Sequence, residues 1–217
     1  MRVAVLASGG LDSAVLLAEL ARESRVWPLY VSAGLPWEQD ELRALERFIA
    51  ALASESVQPV TTLHVPARPL YGNHWSLTNE QIPDAASPDE AVYLPGRNIL
   101  LLGLCAVWCS VHDVQAMAIG SLGGNPFPDG TPAFFRDYAR VLSAGLAHPL
   151  ELLTPYRGLH KHELIQRASG LPLELTLTCL APRDGAHCGA CNKCEERRQA
   201  FLRSGIADRT RYRNEHA

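Results

Sequence analysis

Apolar and polar positions along the chain switch repeatedly between the two-residue period of strands and the period of helices. Residues Arg2 to Ala7 form a short β-branched and apolar run, Ser8-Gly9-Gly10-Leu11-Asp12-Ser13 breaks it, and Ala14 to Ala21 resumes with a helical pattern. This predicts strand, glycine loop, helix. Val26 to Ser32 reads as a second strand, Trp37 to Ala53 as a helix with Leu42, Leu45, Ile49 and Leu52 on one face, and Val57 to Val65 as a third strand. Pro66 to Asp89 shows no period and is rich in Pro, Asn, Ser and Asp. A loop of that length commonly has a functional reason, such as a lid. Pro95-Gly96-Arg97-Asn98 precedes a helix from about Ile99 to Val111, with Asn98 the expected N-cap. A fourth strand (Val114 to Ile119), a second glycine-rich loop (Gly123 to Thr131), a helix (Pro132 to Ala144), a fifth strand (His148 to Leu153) and a helix (Lys161 to Ser169) follow. A polar helix over Cys194 to Arg203 closes the pattern. Strands alternating with helices predict right-handed crossovers and an α/β, doubly wound parallel sheet.

Composition then narrows the partners. The 217 residues carry 20 Lys and Arg against 23 Asp and Glu, a formal net charge of −3. No global basic field exists for a nucleic-acid backbone, so nucleic acid is not the expected partner and a small molecule is. The longest apolar run, Ile99 to Cys109, has eleven residues, whereas a membrane span needs about 20. The N-terminal apolar run is too short for a signal peptide, and the expectation is a cytoplasmic chain without a membrane partner.

Two constellations carry chemistry. A strand, a Ser-Gly-Gly loop and a helix aim backbone N–H groups at an anion such as a phosphate, because glycines permit close approach and first-turn donors lack partners. Asp12 inside such a cradle suits a Mg²⁺ bridged between carboxylate and phosphates; the plainer alternative is a βα turn in which Asp12 or Ser13 caps the helix. At the other end, Cys179, Cys188, Cys191 and Cys194 crowd into sixteen residues. Four thiolates at this spacing favour one tetrahedral Zn²⁺ in a structural role, with an iron–sulfur cluster or ordinary buried cysteines as alternatives. His187 adjoins a ligand and is expected in a supporting position. This tail suggests a division into an ATP-binding α/β domain over 1–170 and a four-Cys zinc segment over 171–217 packed on it.

Ser8, Gly9, Gly10, Asp12 and Ser13 match every specified position of SGG-x-DS, so the chain resembles the PP-loop, or N-type, ATP pyrophosphatases. With the C-terminal cysteines, Leu94-Pro95-Gly96-Arg97-Asn98, Pro128-Asp129, Thr154-Pro155 with Lys161 and Glu163, and Leu175-Thr176, it is similar over nearly its whole length to the 7-cyano-7-deazaguanine synthases of queuosine biosynthesis. The resemblance implies an adenine nucleotide alpha-hydrolase-like fold. It also implies a ligase: ATP adenylylates 7-carboxy-7-deazaguanine, ammonia converts it to the amide, and a second ATP drives dehydration to the nitrile. Ser8, Gly9, Gly10, Leu11, Asp12 and Ser13 would hold ATP with Mg²⁺, and Asp12, Lys161 and Arg97 would carry the chemistry. Arg97 would contact phosphate or the substrate carboxylate, Asp129 and Glu38 would accept base N–H groups, Trp37 would stack, and His74 and Trp75 could close over a base. Two stretches depart from the family pattern: Ser32-Ala33-Gly34-Leu35-Pro36-Trp37-Glu38 replaces an acidic-aromatic-Gly-Gln motif, and Gly130-Thr131 replaces Cys-Arg. A different carboxylate acceptor, an amide end product or a tRNA-modifying PP-loop enzyme are the alternatives, and a homodimer stays open.

Overall fold

The computed structural model describes residues 1–213. Strand β1 (Arg2–Leu6) leads through the glycine loop into α1 (Leu11–Leu20), and β2 (Arg25–Ser32), α2 (Glu38–Leu52) and β3 (Thr61–His64) continue the alternation. Two single-turn helices, α3 (Arg68–Tyr71) and α4 (Trp75–Thr78), interrupt the long loop. After them come α5 (Arg97–Val111), β4 (Ala116–Ala118), α6 (Pro132–Gly145), β5 (Glu151–Leu153), α7 (Lys161–Arg167) and α8 (Asn192–Ser204). The five strands form one parallel sheet in the order β3-β2-β1-β4-β5, with Val3 beside both Val26 of β2 and Ala116 of β4. Winding runs outward from β1 to β3 and then returns to β4, so β1 and β4 flank the reversal point, where doubly wound sheets leave a crevice at the carboxyl ends of their strands.

Period-two alternation explains why both faces are covered. Val3 and Val5 pack with Leu16, Leu45, Leu164, Ile165 and Phe201 on one face, while Ala4 and Leu6 pack with Leu102, Cys105, Trp108, Met117 and Phe135 on the other. Ala200 and Phe201 of α8 belong to the first of these cores, and the Leu177 N–H donates to Gly9 O at 2.8 Å. Contacts therefore cross residue 170 in quantity. A third apolar cluster joins Trp37, Leu177, Leu180 and all four clustered cysteines to Trp75 of the long loop.

Several boundaries move for local reasons. The third strand is confined to Thr61–His64, with an isolated bridge from Val57 to Val26, because Pro59 between them lacks an N–H for the ladder. Pro149 likewise delays β5 to Glu151. Helix α5 starts at Arg97 rather than Ile99, capped by Gly96 at φ 72°; Asn98 is thus inside the helix and not its cap. Helix α8 begins two residues before Cys194, directly after Cys191. Among the described residues, no helix is long and apolar enough to cross a membrane.

Candidate active site and metal centre

Leaving β1, the chain turns through Ser8, Gly9 and Gly10. Gly9 holds φ at 78°, and a Cβ there would collide with the Glu41 carbonyl of α2, so two independent constraints select glycine. Ser13 Oγ accepts from Ser8 N–H at 3.2 Å and donates to Gly10 O at 3.0 Å, which ties the loop to the first turn of α1. Gly10 occupies the cap position with no side-chain acceptor, so neither Asp12 nor Ser13 serves as the helix cap. On the opposite side of the crevice a Cβ on Gly120, just past β4, would come within 2.9 Å of Asp12 O; its absence lets the two loops touch.

Asp12 lies 3.5 Å from Lys161 Nζ at the start of α7, and Lys161 is 2.5 Å from Glu196 Oε1 on α8. The other Glu196 oxygen meets Lys193 Nζ at 2.7 Å. Burial raises the Asp12 carboxyl above its ordinary value against the pull of Lys161. Burial works to lower the Lys161 ammonium, and Asp12 and Glu196 outweigh it and hold it raised. Asp12 Oδ1 is buried and has no hydrogen-bond partner among the described residues. A desolvated carboxylate oxygen without a donor, beside an anion cradle, has the chemistry of a divalent-cation ligand, and Mg²⁺ fits it.

These groups open into a cavity of about 860 Å³, at the upper end of the roughly 300–1,000 Å³ of small-molecule sites. Trp37 and Trp75 form part of its wall, stacked with centroids 5.9 Å apart and planes 20° from parallel. Tyr30 Oη donates to Glu41 Oε2 at 2.7 Å. Burial raises the Glu41 carboxyl to about 7, against the opposing influence of that hydrogen bond and the Arg97 charge. The Arg97 guanidinium lines the same cavity and has no hydrogen-bond or ion-pair partner among the described residues.

The four cysteine sulfurs lie within 4.8 Å of one another. Cys191 to Cys194 is 3.5 Å and Cys188 to Cys194 is 3.8 Å, against about 3.8 Å for the edge of a tetrahedron whose metal–sulfur bonds are 2.3 Å. The group therefore suits a single ion such as zinc, and thiolates this close leave no room for a multi-iron core. Backbone N–H groups of Ala181 and Cys188 point at Cys179 Sγ, and that of Ala190 at Cys188 Sγ, which offsets thiolate charge. His187 is buried, accepts from Thr178 N–H through Nε2 at 2.9 Å, and burial lowers it to about 3, so it supports the knuckle as a neutral ring.

The family model described as Queuosine biosynthesis protein QueC matches residues 2–205. The chain belongs to this family. Relatives include the 7-cyano-7-deazaguanine synthases of Methanothermobacter thermautotrophicus, 30% identical over 98% of this chain and all of that one, and of an Azoarcus species, 32% identical over 97% and 96%. That of Methanopyrus kandleri is 32% identical over 96% of this chain and 97% of its own. A solved structure titled as a predicted subunit of tRNA methyltransferase from Methanocaldococcus jannaschii superposes with a TM-score of 0.48 at 16% identity, covering 78% of this chain and 74% of that one.

Within this QueC-family chain the structure brings Ser8, Gly10, Leu11, Asp12, Ser13, Lys161, Arg97 and Trp37 around one cavity, with Gly9 supporting the loop. Two of the anticipated acceptors stand elsewhere. Glu38 accepts from Ser32 Oγ at 2.7 Å and from the N–H groups of Ala33 and Leu35 at 2.6 and 3.0 Å, so it braces the divergent loop instead of facing a ligand. Asp129 is buried under the start of α5, where Oδ2 takes the Asn98 N–H at 2.9 Å. Neither lines the cavity. His74 also turns inward, capping α4 through Ser76 N–H, whereas Trp75 does line the site.

Of four further polar residues of the site and its frame, Glu41 and Asn192 carried no signal in the sequence, while Glu196-Arg197 belong to the family resemblance with no role implied for either. Glu41 is one helical turn beyond Glu38. Asn192 lines the cavity while its Nδ2 donates to Ser87 O at 2.7 Å and its N–H to Pro83 O at 3.0 Å, stitching the long loop to the cysteine knuckle. Glu196 meets both lysines. Arg197 is almost wholly buried and donates to Thr210 Oγ1, Thr176 Oγ1 and Leu173 O, knitting α8 to the segments on either side of it.

Proposed function

We propose that this protein uses ATP and ammonia to convert 7-carboxy-7-deazaguanine into 7-cyano-7-deazaguanine through an adenylylated carboxylate and an amide, as a ligase releasing AMP and pyrophosphate. The observation that carries this reading is the pairing of the Ser8–Ser13 loop and its partnerless Asp12 oxygen with a large aromatic-walled cavity. Loop N–H groups and Lys161 hold the polyphosphate, and a preorganised set of donors is worth most once the bound nucleotide displaces water from it. Bound Mg²⁺ would neutralise the leaving pyrophosphate, with Asp12 as its protein ligand. Arg97, whose guanidinium has no hydrogen bond or ion pair among the described residues, can take the substrate carboxylate as a two-pronged donor. Glu41, held by Tyr30 and aided by Trp37, takes over the role first assigned to Glu38 and Asp129 as acceptor for base N–H groups. The cysteine site is the structural zinc site, since four sulfurs leave no open position for substrate.

Incubation with ATP, Mg²⁺, ammonia and 7-carboxy-7-deazaguanine, followed by mass spectrometry, should yield AMP, pyrophosphate and the nitrile. ADP and phosphate as products would overturn the PP-loop assignment. The departures at Ser32 to Glu38 and at Gly130-Thr131 support a second reading, in which the enzyme stops at the amide or adenylylates another carboxylate. Failure of 7-carboxy-7-deazaguanine to bind beside an unreactive ATP analogue would favour it.

A further inference from the structure

Lys161 alone makes an unbalanced phosphate site. Two carboxylates, Asp12 at 3.5 Å and Glu196 at 2.5 Å, outnumber its single charge, and a polyphosphate would meet a net negative surface. Lys193 restores the balance. Its Nζ sits on the second oxygen of the same Glu196 carboxylate at 2.7 Å, so one anion holds two ammonium groups side by side. Asp89, at 3.9 Å, is too distant to take another of its protons. An ammonium carries three donors, which leaves Lys193 with two for a ligand. The side chain is 25% exposed and lines the same cavity as the glycine loop. A surface pair three residues apart on a helix needs no third member; this one is shared with an interior lysine that faces the loop.

We infer that Lys193 is a second phosphate-binding cation, set beside Lys161 by the Glu196 bridge to hold the pyrophosphate end of the nucleotide. The inference rests on the ATP reading above. In it, Glu196 is a positioning residue: it spaces the two ammonium groups and suppresses their mutual repulsion until the anion arrives. Lys193 directly precedes Cys194 and follows Asn192, so the metal knuckle places this half of the phosphate grip.

The test is calorimetric titration of the zinc-loaded full chain with Mg²⁺ and inorganic pyrophosphate, and separately with AMP. Lys193→Gln should weaken pyrophosphate binding by about tenfold or more while AMP binding stays within about twofold, and Lys193→Arg should recover most of the loss. A Lys193→Gln protein with one zinc per chain and an unchanged melting temperature that binds pyrophosphate like the parent would overturn the inference and leave the ATP reading intact. A parent protein that binds no pyrophosphate would overturn both. Should Lys193→Gln lose zinc, Asp89→Asn decides: removing that exposed carboxylate should tighten pyrophosphate by about two- to threefold, and no change would sink the role of Lys193.

Discussion

Asp12 carries a buried oxygen that no described residue satisfies, a state that costs free energy until a cation or donor arrives. Asp12→Asn should therefore leave the melting temperature equal or higher, since Lys161 keeps Glu196, while AMP release falls by at least ~100-fold. Chromatographic assay of AMP beside a thermal melt checks both halves, and retained turnover would remove Asp12 from the mechanism. Glu41 titrates near 7 in the fold against an ordinary 4.5. The unfolded chain releases that proton first, so the contribution of Glu41 to stability is present below about 4.5 and is lost as pH rises through about 7. Glu41→Gln should flatten the decline in denaturation free energy across that window; parallel curves for parent and variant would refute the shift. The loop around Asp12 was legible because its glycine pattern is rare, whereas Lys161 entered only through the family resemblance, and its place 3.5 Å from Asp12 is what the fold adds. Glu38 and Glu41 were not separable, since residues three apart share a helix face and only the fold shows that the Ser32–Leu35 backbone claims the first.

At the scale of elements, periodicity named each strand and long helix correctly, and erred where proline or a glycine cap overrode it, at Pro59, Gly96 and Pro149. The long loop gave no period because it has no face of its own to bury. Its order comes from outside, through Asn192 to Pro83 and Ser87 and through the Trp37 and Trp75 stack, an aromatic contact worth about 0.5–1.5 kcal/mol. A metal held by the four cysteines would thus act on the cavity wall through the same contacts. Cys191→Ser should lose stoichiometric zinc and lower the melting temperature by more than about 10 °C, with weaker acceptor binding as a companion effect. Metal analysis and calorimetry measure these, and unchanged values for both would remove the metal from the fold's support.

Across the whole molecule, the alternation of elements announced a parallel sheet, but the order β3-β2-β1-β4-β5 depends on pairings between residues over a hundred positions apart, such as Val3 with Ala116, which no local pattern encodes. The same holds for the tail. Cysteine spacing announced a metal, yet the penetration of Ala200, Phe201 and Arg197 into the body of the protein had no counterpart in periodicity. The backbone stitch between the long loop and the knuckle has a consequence in time. Ser87 waits for a partner made 105 residues later, and Gly9 of the phosphate loop waits for Leu177. Domains begin to order while the ribosome is still extending them, at about 5–20 residues per second, so a nascent chain can pair β1 with β2 seconds before either anchor exists. A stalled or prematurely ended chain would carry the inner strands without the segments that complete the cavity wall, and the cavity would be whole only after translation has passed the last cysteine.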